Sequence, residues 1–440
     1  MQTDHTHDAS RRSWLADANV AGTDFPIQNL PFGVIRRAGS DETFRGAVAI
    51  GDHAVDMARL AQASCFDEEV ALAIRACAQP RLNEFMGLGP AVWKALRHAL
   101  FDALSEGASG ECVESVRDAL LQLNELEHAL PTAIGDYTDF YTSLNHARNV
   151  GNLIRPENPV SPNFHWLPIA YHGRVSSIGL SGQPVRRPHG QILSESRQEP
   201  EYAPCAMLDY ELELGVFVGQ ATRRGERIPL DDAERHIFGV CLLNDWSARD
   251  IQWWEMSPLG PFLSKNFATT ISPWIITLDA LTPYRTRWDR AEDHPKPLAY
   301  LESGANRAHG AFDVLLQVAL HSAEQRNAGE PPAILSETSF RHQYWSIAQM
   351  LTHHASGGCP LNVGDLLGSG TVSGPLPREA GALVELSRGG REPLDLGNGE
   401  KRSFISDQDI VILRGWCERD GFARIGFGDC HAQVTPALDD

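Results

Sequence analysis

The sequence predicts an α+β, β-rich protein in two parts. Three observations point there: a length of 440 residues, helical periodicity confined to the first third, and short β-type runs from Pro131 onward. A chain of this length exceeds what one hydrophobic core usually organises, and a hydrophobic content of 42% leaves ample core for two. Residues up to about Asp24 read as an exposed lead-in. Arg45–Met57 sets apolar runs on either side of Gly51-Asp52, which predicts a hairpin. From Ala91 to about Glu106, and from Glu111 to about Ala129, apolar residues recur at helical spacing, so two helices are expected to close this N-terminal module. The second part, residues 131–440, is punctuated by Gly, Pro and Asn. Its clearest strand is Glu211–Val218, whose first four residues alternate strictly, and Asp409–Leu413 and Phe422–Phe427 are further strands with a turn at Asp420-Gly421. The sequence has no internal repeat, which sets repeat architectures aside.

Composition narrows the partners. Acidic residues number 57 against 38 basic, a formal charge of −19 that repels phosphate backbones and excludes nucleic acid as the expected ligand. A small organic substrate fits better, and an anionic one must find locally placed arginines. The eight cysteines are scattered without a Cys-x-x-Cys pair, so reduced, packed thiols are expected. The N-terminus is polar and no run reaches membrane-spanning length, which predicts a cytoplasmic protein with no membrane partner.

The chemistry concentrates in a few acidic motifs. In a strand, residues i and i+2 share a face roughly 6.5 to 7 Å apart, so Glu211 and Glu213 can aim at one point, and Asp209 shares their parity. One reading makes this Glu-Leu-Glu the solvent face of an amphipathic strand. The other makes it a cation site, because carboxylates on a core-facing strand need compensation and oxygen ligands favour Mg²⁺, Ca²⁺ or Mn²⁺. Asp245 supports the second reading: it ends the apolar run Ile237–Leu243, where a strand meets a loop. It is the natural third ligand, with Asp139 a candidate fourth. His146 stands out among 17 histidines only for its neighbours Asp139, Tyr141 and Arg155. The pair His353-His354 has no nearby carboxylate and reads as structural, and Arg249 and Lys265 taken alone read as surface cations.

Several ordered motifs together resemble the fumarylacetoacetase family. They are Asp136-Tyr-Thr-Asp-Phe-Tyr141, His172-Gly-Arg174, Asn244-Asp-Trp-Ser-Ala-Arg-Asp-Ile-Gln252, Pro258-Leu-Gly-Pro-Phe-Leu263, Thr269-Thr-Ile-Ser-Pro-Trp274 and Gly364-Asp-Leu-Leu-Gly-Ser-Gly-Thr371. The resemblance covers nearly the whole chain. It implies an SH3-like barrel with helices over residues 1–130 and a catalytic β-roll over 131–440, assembled as a homodimer. It implies a hydrolase that cleaves a carbon-carbon bond of the diketo acid 4-fumarylacetoacetate to fumarate and acetoacetate, the last step of tyrosine and phenylalanine breakdown. Asp139, Glu211, Glu213 and Asp245 would hold Ca²⁺ or Mg²⁺, with Thr269 and the backbone near Lys265 at a second cation. His146 would activate water with Glu385 orienting it; the resemblance assigns donors to developing charge at Arg249, Gln252 and Lys265, and substrate contacts at Tyr141, Arg155, Tyr171, Gln252 and Thr371. Glu385 lies in Gly381-Ala-Leu-Val-Glu-Leu386, a strand-like run. Two departures from the family pattern are Met256, where animal members carry a substrate-contacting tyrosine, and Ala268 in place of a glycine. Two rivals remain: an acylpyruvate hydrolase or decarboxylase of the same fold, and a non-catalytic, metal-stabilised binding domain.

Overall fold

The computed structural model describes residues 2–193 and 198–438 as a mixed α/β fold built on an eight-stranded sheet, a second large sheet of five strands and an N-terminal sheet also of five. At its centre, the strands Leu212–Val218 and Ile237–Asp245 pair antiparallel and are buried at every position. Burial on both faces is the reason Ile237–Leu243 reads as a continuous apolar run rather than a simple alternation. One face, carrying Phe217, Phe238, Cys241 and Leu243, packs on the core of the N-terminal part. The other, carrying Leu214, Val216, Val240 and Leu242, packs on a core shared with the second large sheet. That sheet contains Leu315–His321, Ala333–Ser339, Ile410–Cys417 and Ile425–Thr435.

The N-terminal part is a five-stranded antiparallel sheet. The expected hairpin is there, as Arg45–Ile50 and His53–Asp56 turning at Gly51, whose φ of 53° suits glycine. A helix runs over Pro90–Leu104, close to the predicted span. The second predicted helix is corrected: it stops at Asp118, and Leu120–Gln122 and Leu126–Ala129 are instead the two edge strands of the sheet. Leucines at 120, 121, 123 and 126 mimic helical spacing, but pairing with His53–Val55 and Val34–Arg37 overrides it. A helix over Glu68–Cys77, capped by Asp67 through the Val70 amide, was not foreseen.

Two further expectations are corrected. The lead-in is exposed only in part: Thr6, His7, Ser13 and Ala18 are buried among exposed neighbours. Asp4 caps the turn His5–His7 and meets Lys94 at 2.7 Å and His98 at 2.9 Å on the long helix, while His7 Nε2 lies 2.8 Å from the Asp279 carbonyl. The segment is held by specific polar contacts, which a hydrophobicity reading does not register. Nor are all thiols reduced, because Cys65 and Cys112 form a disulfide with Cα atoms 5.5 Å apart. Their wide separation in sequence hides a contact that the fold makes, between the approach to helix Glu68–Cys77 and helix Glu111–Asp118. Near the C-terminus, the strand expected from Phe422 begins at Ile425, since the Phe422 amide closes a turn onto the Arg419 carbonyl. Among the described residues no helix is long and apolar enough to cross a membrane.

Candidate functional site

The acidic residues converge at one end of the central sheet. Asp139 lies within strand Tyr137–Tyr141, Glu213 at the start of Leu212–Val218, and Asp245 at the end of Ile237–Asp245. The strand Leu366–Gly368 runs between the first two, with Gly368 opposite both Asp139 and Gly215. A Cβ at Gly368 would sit 2.5 Å from Asp139 Oδ1 and 3.0 Å from Glu213 Oε2. Glycine therefore leaves the gap across which carboxylates of non-adjacent strands meet.

One ligand atom from each of Asp139, Glu213 and Asp245 lies within 4.8 Å of the others. The Gly370 amide donates to Glu213 Oε2 at 2.9 Å, and the Tyr171 hydroxyl reaches Asp139 at 2.9 Å and Asp245 at 2.7 Å. Asp139 Oδ1 and Glu213 Oε1 are buried without a hydrogen-bond partner. Burial, then repulsion from the neighbouring carboxylates, pushes the carboxyls of Asp139 and Glu213 well above the usual range. Orphaned anionic oxygens facing one another are the donor set a hard divalent cation takes up, so these residues fit such an ion.

Glu211 sits one residue before its strand and turns toward cations. Lys265 Nζ donates to it and, at 2.7 Å, to Asp245, while Arg249 Nη2 lies 2.9 Å away. Burial opposes ionisation of Glu211, but Lys265 and Arg249 outweigh it and bring its pKa down to about 2. Glu211 thus faces the Lys265 ammonium, which also reaches Asp245 of the three-carboxylate cluster. Thr269 is buried and pairs across strands with Asp245.

His146 rides on the helix Leu144–Ile154, whose cap Ser143 accepts the His146 amide at 3.2 Å. Its Nδ1 is 2.6 Å from Glu385 Oε1, although the two residues stand far apart in sequence. Nε2 faces the opposite way, 3.8 Å from Glu211 Oε1. The strand expected around Glu385 is a helical turn, Leu383–Leu386, because the Asp209 carboxylate accepts its first two amides, Leu383 and Val384, at 2.8 and 3.0 Å.

A cavity of about 320 Å³ opens over this cluster. It is lined by Tyr141, His146, Arg155, Tyr171, Arg249, Gln252, Lys265 and Thr371, with Asp139 and Glu211 in its floor and Met256 in its wall. Arg155 is exposed at the rim, whereas Thr371 keeps a buried hydroxyl without a partner. Arg249 and Lys265 are buried, so their reading as surface cations fails. His353 and His354 contact Tyr300 and Thr138 away from the cavity, in keeping with a structural role. Sequence reasoning missed Asn149 and Ser373, which donate to Glu385 at 2.8 and 2.9 Å. Asn149 follows His146 by three positions on one helix, a spacing that could have revealed it.

Residues 137–435 match the family described as fumarylacetoacetate (FAA) hydrolase C-terminal, and residues 28–131 the one described as fumarylacetoacetase N-terminal. The chain is 45% identical to the fumarylacetoacetase of Homo sapiens over 94% of its length and 97% of the human protein. It is 43% identical to that of Oryza sativa subsp. japonica, over 95% of this chain and 96% of the rice protein. Among solved structures, a fumarylacetoacetate hydrolase from Exiguobacterium antarcticum matches with a TM-score of 0.51 at 16% identity, covering 92% of this chain and 99% of that one, a likeness of fold.

Proposed function

This chain belongs to the fumarylacetoacetate hydrolase family, and we propose that it hydrolyses 4-fumarylacetoacetate to fumarate and acetoacetate, the closing step of tyrosine and phenylalanine catabolism. The observation that carries this reading is that His146, held from behind by Glu385, lines the same cavity as Asp139 of the carboxylate cluster. Breaking a carbon-carbon bond in a diketone needs water added to one carbonyl, and then a carbanion that leaves only if its charge is stabilised as an enolate. The residues fit both demands. Glu385, itself fixed by Asn149 and Ser373, orients the imidazole so that Nε2 takes a proton from water seated in the cavity. The Arg249 guanidinium, with Gln252 against it at 3.0 Å, and the Lys265 ammonium offset negative charge as it grows on the substrate oxygens. Buried ion pairs hold both cations beyond ordinary deprotonation, since attraction to neighbouring carboxylates overcomes burial.

Asp139, Glu213 and Asp245, with Glu211 beside them, would hold Mg²⁺ or Ca²⁺, which supplies a Lewis acid for the diketone and enolate oxygens. Thr269 and the backbone near Lys265 serve a second cation. Tyr141, Arg155, Tyr171, Gln252 and Thr371 hold the diketo acid, and the positively charged rim residue Arg155 suits a carboxylate end. Met256 offers no phenolic hydrogen bond, a difference that bears on fine substrate affinity more than on the type of reaction.

In this reading residues 1–130 form an SH3-like barrel, residues 131–440 a catalytic β-roll, and the enzyme works in the cytoplasm as a homodimer. Light scattering is expected to give a mass near twice 48.4 kDa, and a clean monomer at micromolar concentration contradicts the dimer. The activity itself is tested by incubating the protein, with Mg²⁺ or Ca²⁺, with fumarylacetoacetate and with acylpyruvates. Release of fumarate and acetoacetate is expected; turnover of acylpyruvates alone transfers the site to that chemistry.

A further inference from the structure

We propose that Asp209 is a positioning residue that locks Arg249 and the turn carrying Glu385 into one arrangement. The inference deepens the hydrolase reading and rests on it. Asp209 is fully buried and lines no part of the cavity. Its Oδ1 accepts the amides of Tyr210 and Leu383, each at 2.8 Å, and its Oδ2 accepts the Val384 amide at 3.0 Å and Arg249 Nε at 2.8 Å. These four donors fill the capacity of an ionised carboxylate. Strand pairing of Asp209 with Ser247, two residues before Arg249, fixes the carboxylate against the segment that bears the guanidinium.

The two arms of this carboxylate end at the chemistry. Through Arg249 it reaches Glu211, 2.9 Å from Nη2, and Gln252. Through the turn Leu383–Leu386 it reaches Glu385 and hence His146 Nδ1. The turn is only four residues long, so intrahelical bonds alone hold it weakly and its first amides need an outside acceptor. A shift of the turn moves the imidazole partner, and a shift of Arg249 moves the charge that faces the growing oxyanion. Misplacement of about 1 Å costs on the order of 10²-fold in rate.

The test compares Asp209→Asn in the parent and in a Glu385→Gln background. In the parent, kcat is expected to fall roughly 10- to 100-fold, with KM changed much less. In the Glu385→Gln background the further loss should be smaller, because the arm that ends at Glu385 has less left to position and the part carried through Arg249 remains. An equal loss in both backgrounds, which simple loss of folded protein produces, overturns the proposal, as does full activity of Asp209→Asn. A second measurement needs neither that variant nor turnover: amide exchange at Leu383 and Val384 should quicken in Arg249→Lys, since the carboxylate loses the guanidinium that orients it. Unchanged protection there overturns the coupling. A parent that releases no fumarate sinks the hydrolase reading instead, and exchange still decides whether Asp209 joins the two parts.

Discussion

His146→Ala should remove nearly all turnover, roughly 10²- to 10⁴-fold as for a general base, while the stabilisation given by added Mg²⁺ or Ca²⁺ survives. The imidazole touches none of Asp139, Glu213 or Asp245 through a hydrogen bond; its contacts are Glu385 at 2.6 Å and Glu211 at 3.8 Å. Glu385→Gln should cost less, because the remaining amide oxygen can still accept from Ser373 and the imidazole, while the charge that stabilises the imidazolium and the bond donated by Asn149 are lost. The double variant should be barely worse than His146→Ala, as two groups that act as one unit give strongly non-additive losses. The measurement is kcat for the three variants with melting curves at each metal concentration. If the two losses multiply, the residues act independently and the pair is not a dyad.

Asp139→Asn should abolish activity and, in the metal-free protein, leave the melting temperature unchanged or raise it. The expected sign follows from the site. Asp139 Oδ1 and Glu213 Oε1 are buried and unpartnered, and burial with mutual repulsion holds both carboxyls far above their usual range. Removing one acid relieves that conflict. The same change deletes a ligand, so the stabilisation by a saturating divalent ion, about 2.7 kcal/mol at a hundredfold excess over Kd, should largely disappear. Differential scanning with and without chelator reads both effects. A variant that keeps the full metal-dependent shift removes Asp139 from the site, and a parent fully active after exhaustive chelation removes the metal.

Much of the site was legible because its residues fall at places where local pattern and chemistry disagree. Acids inside or at the end of runs as apolar as Leu212–Val218 and Ile237–Asp245 demand compensation, and the structure brings Asp139, Glu213 and Asp245 together. What stayed hidden depends on contacts between distant segments. The turn at Leu383–Leu386 exists because Asp209 accepts its amides, a relation absent from the local sequence, so the run reads as a strand. The Cys65–Cys112 bond and the packing of residues around His7 are hidden for the same reason. The error over Leu120–Ala129 is of another kind: leucines spaced for a helix serve equally on edge strands, and pairing with neighbours decides. Glu211 shows the limit of parity, which places it near Glu213 but not on the cations that hold it.

The strands Leu212–Val218 and Ile237–Asp245 are clamped between two separate cores, and this shapes how the molecule tolerates inherited change. A methyl added at Gly239 would land 2.4 Å from the Ile276 carbonyl oxygen, in backbone that cannot yield easily, and the displaced strand ends in Asp245. A survey of random alleles would therefore record lesions deep in either core as defects of catalysis, although they touch neither substrate nor any residue that does. The map of damaging positions should trace these two strands along their length rather than form a halo around the cavity.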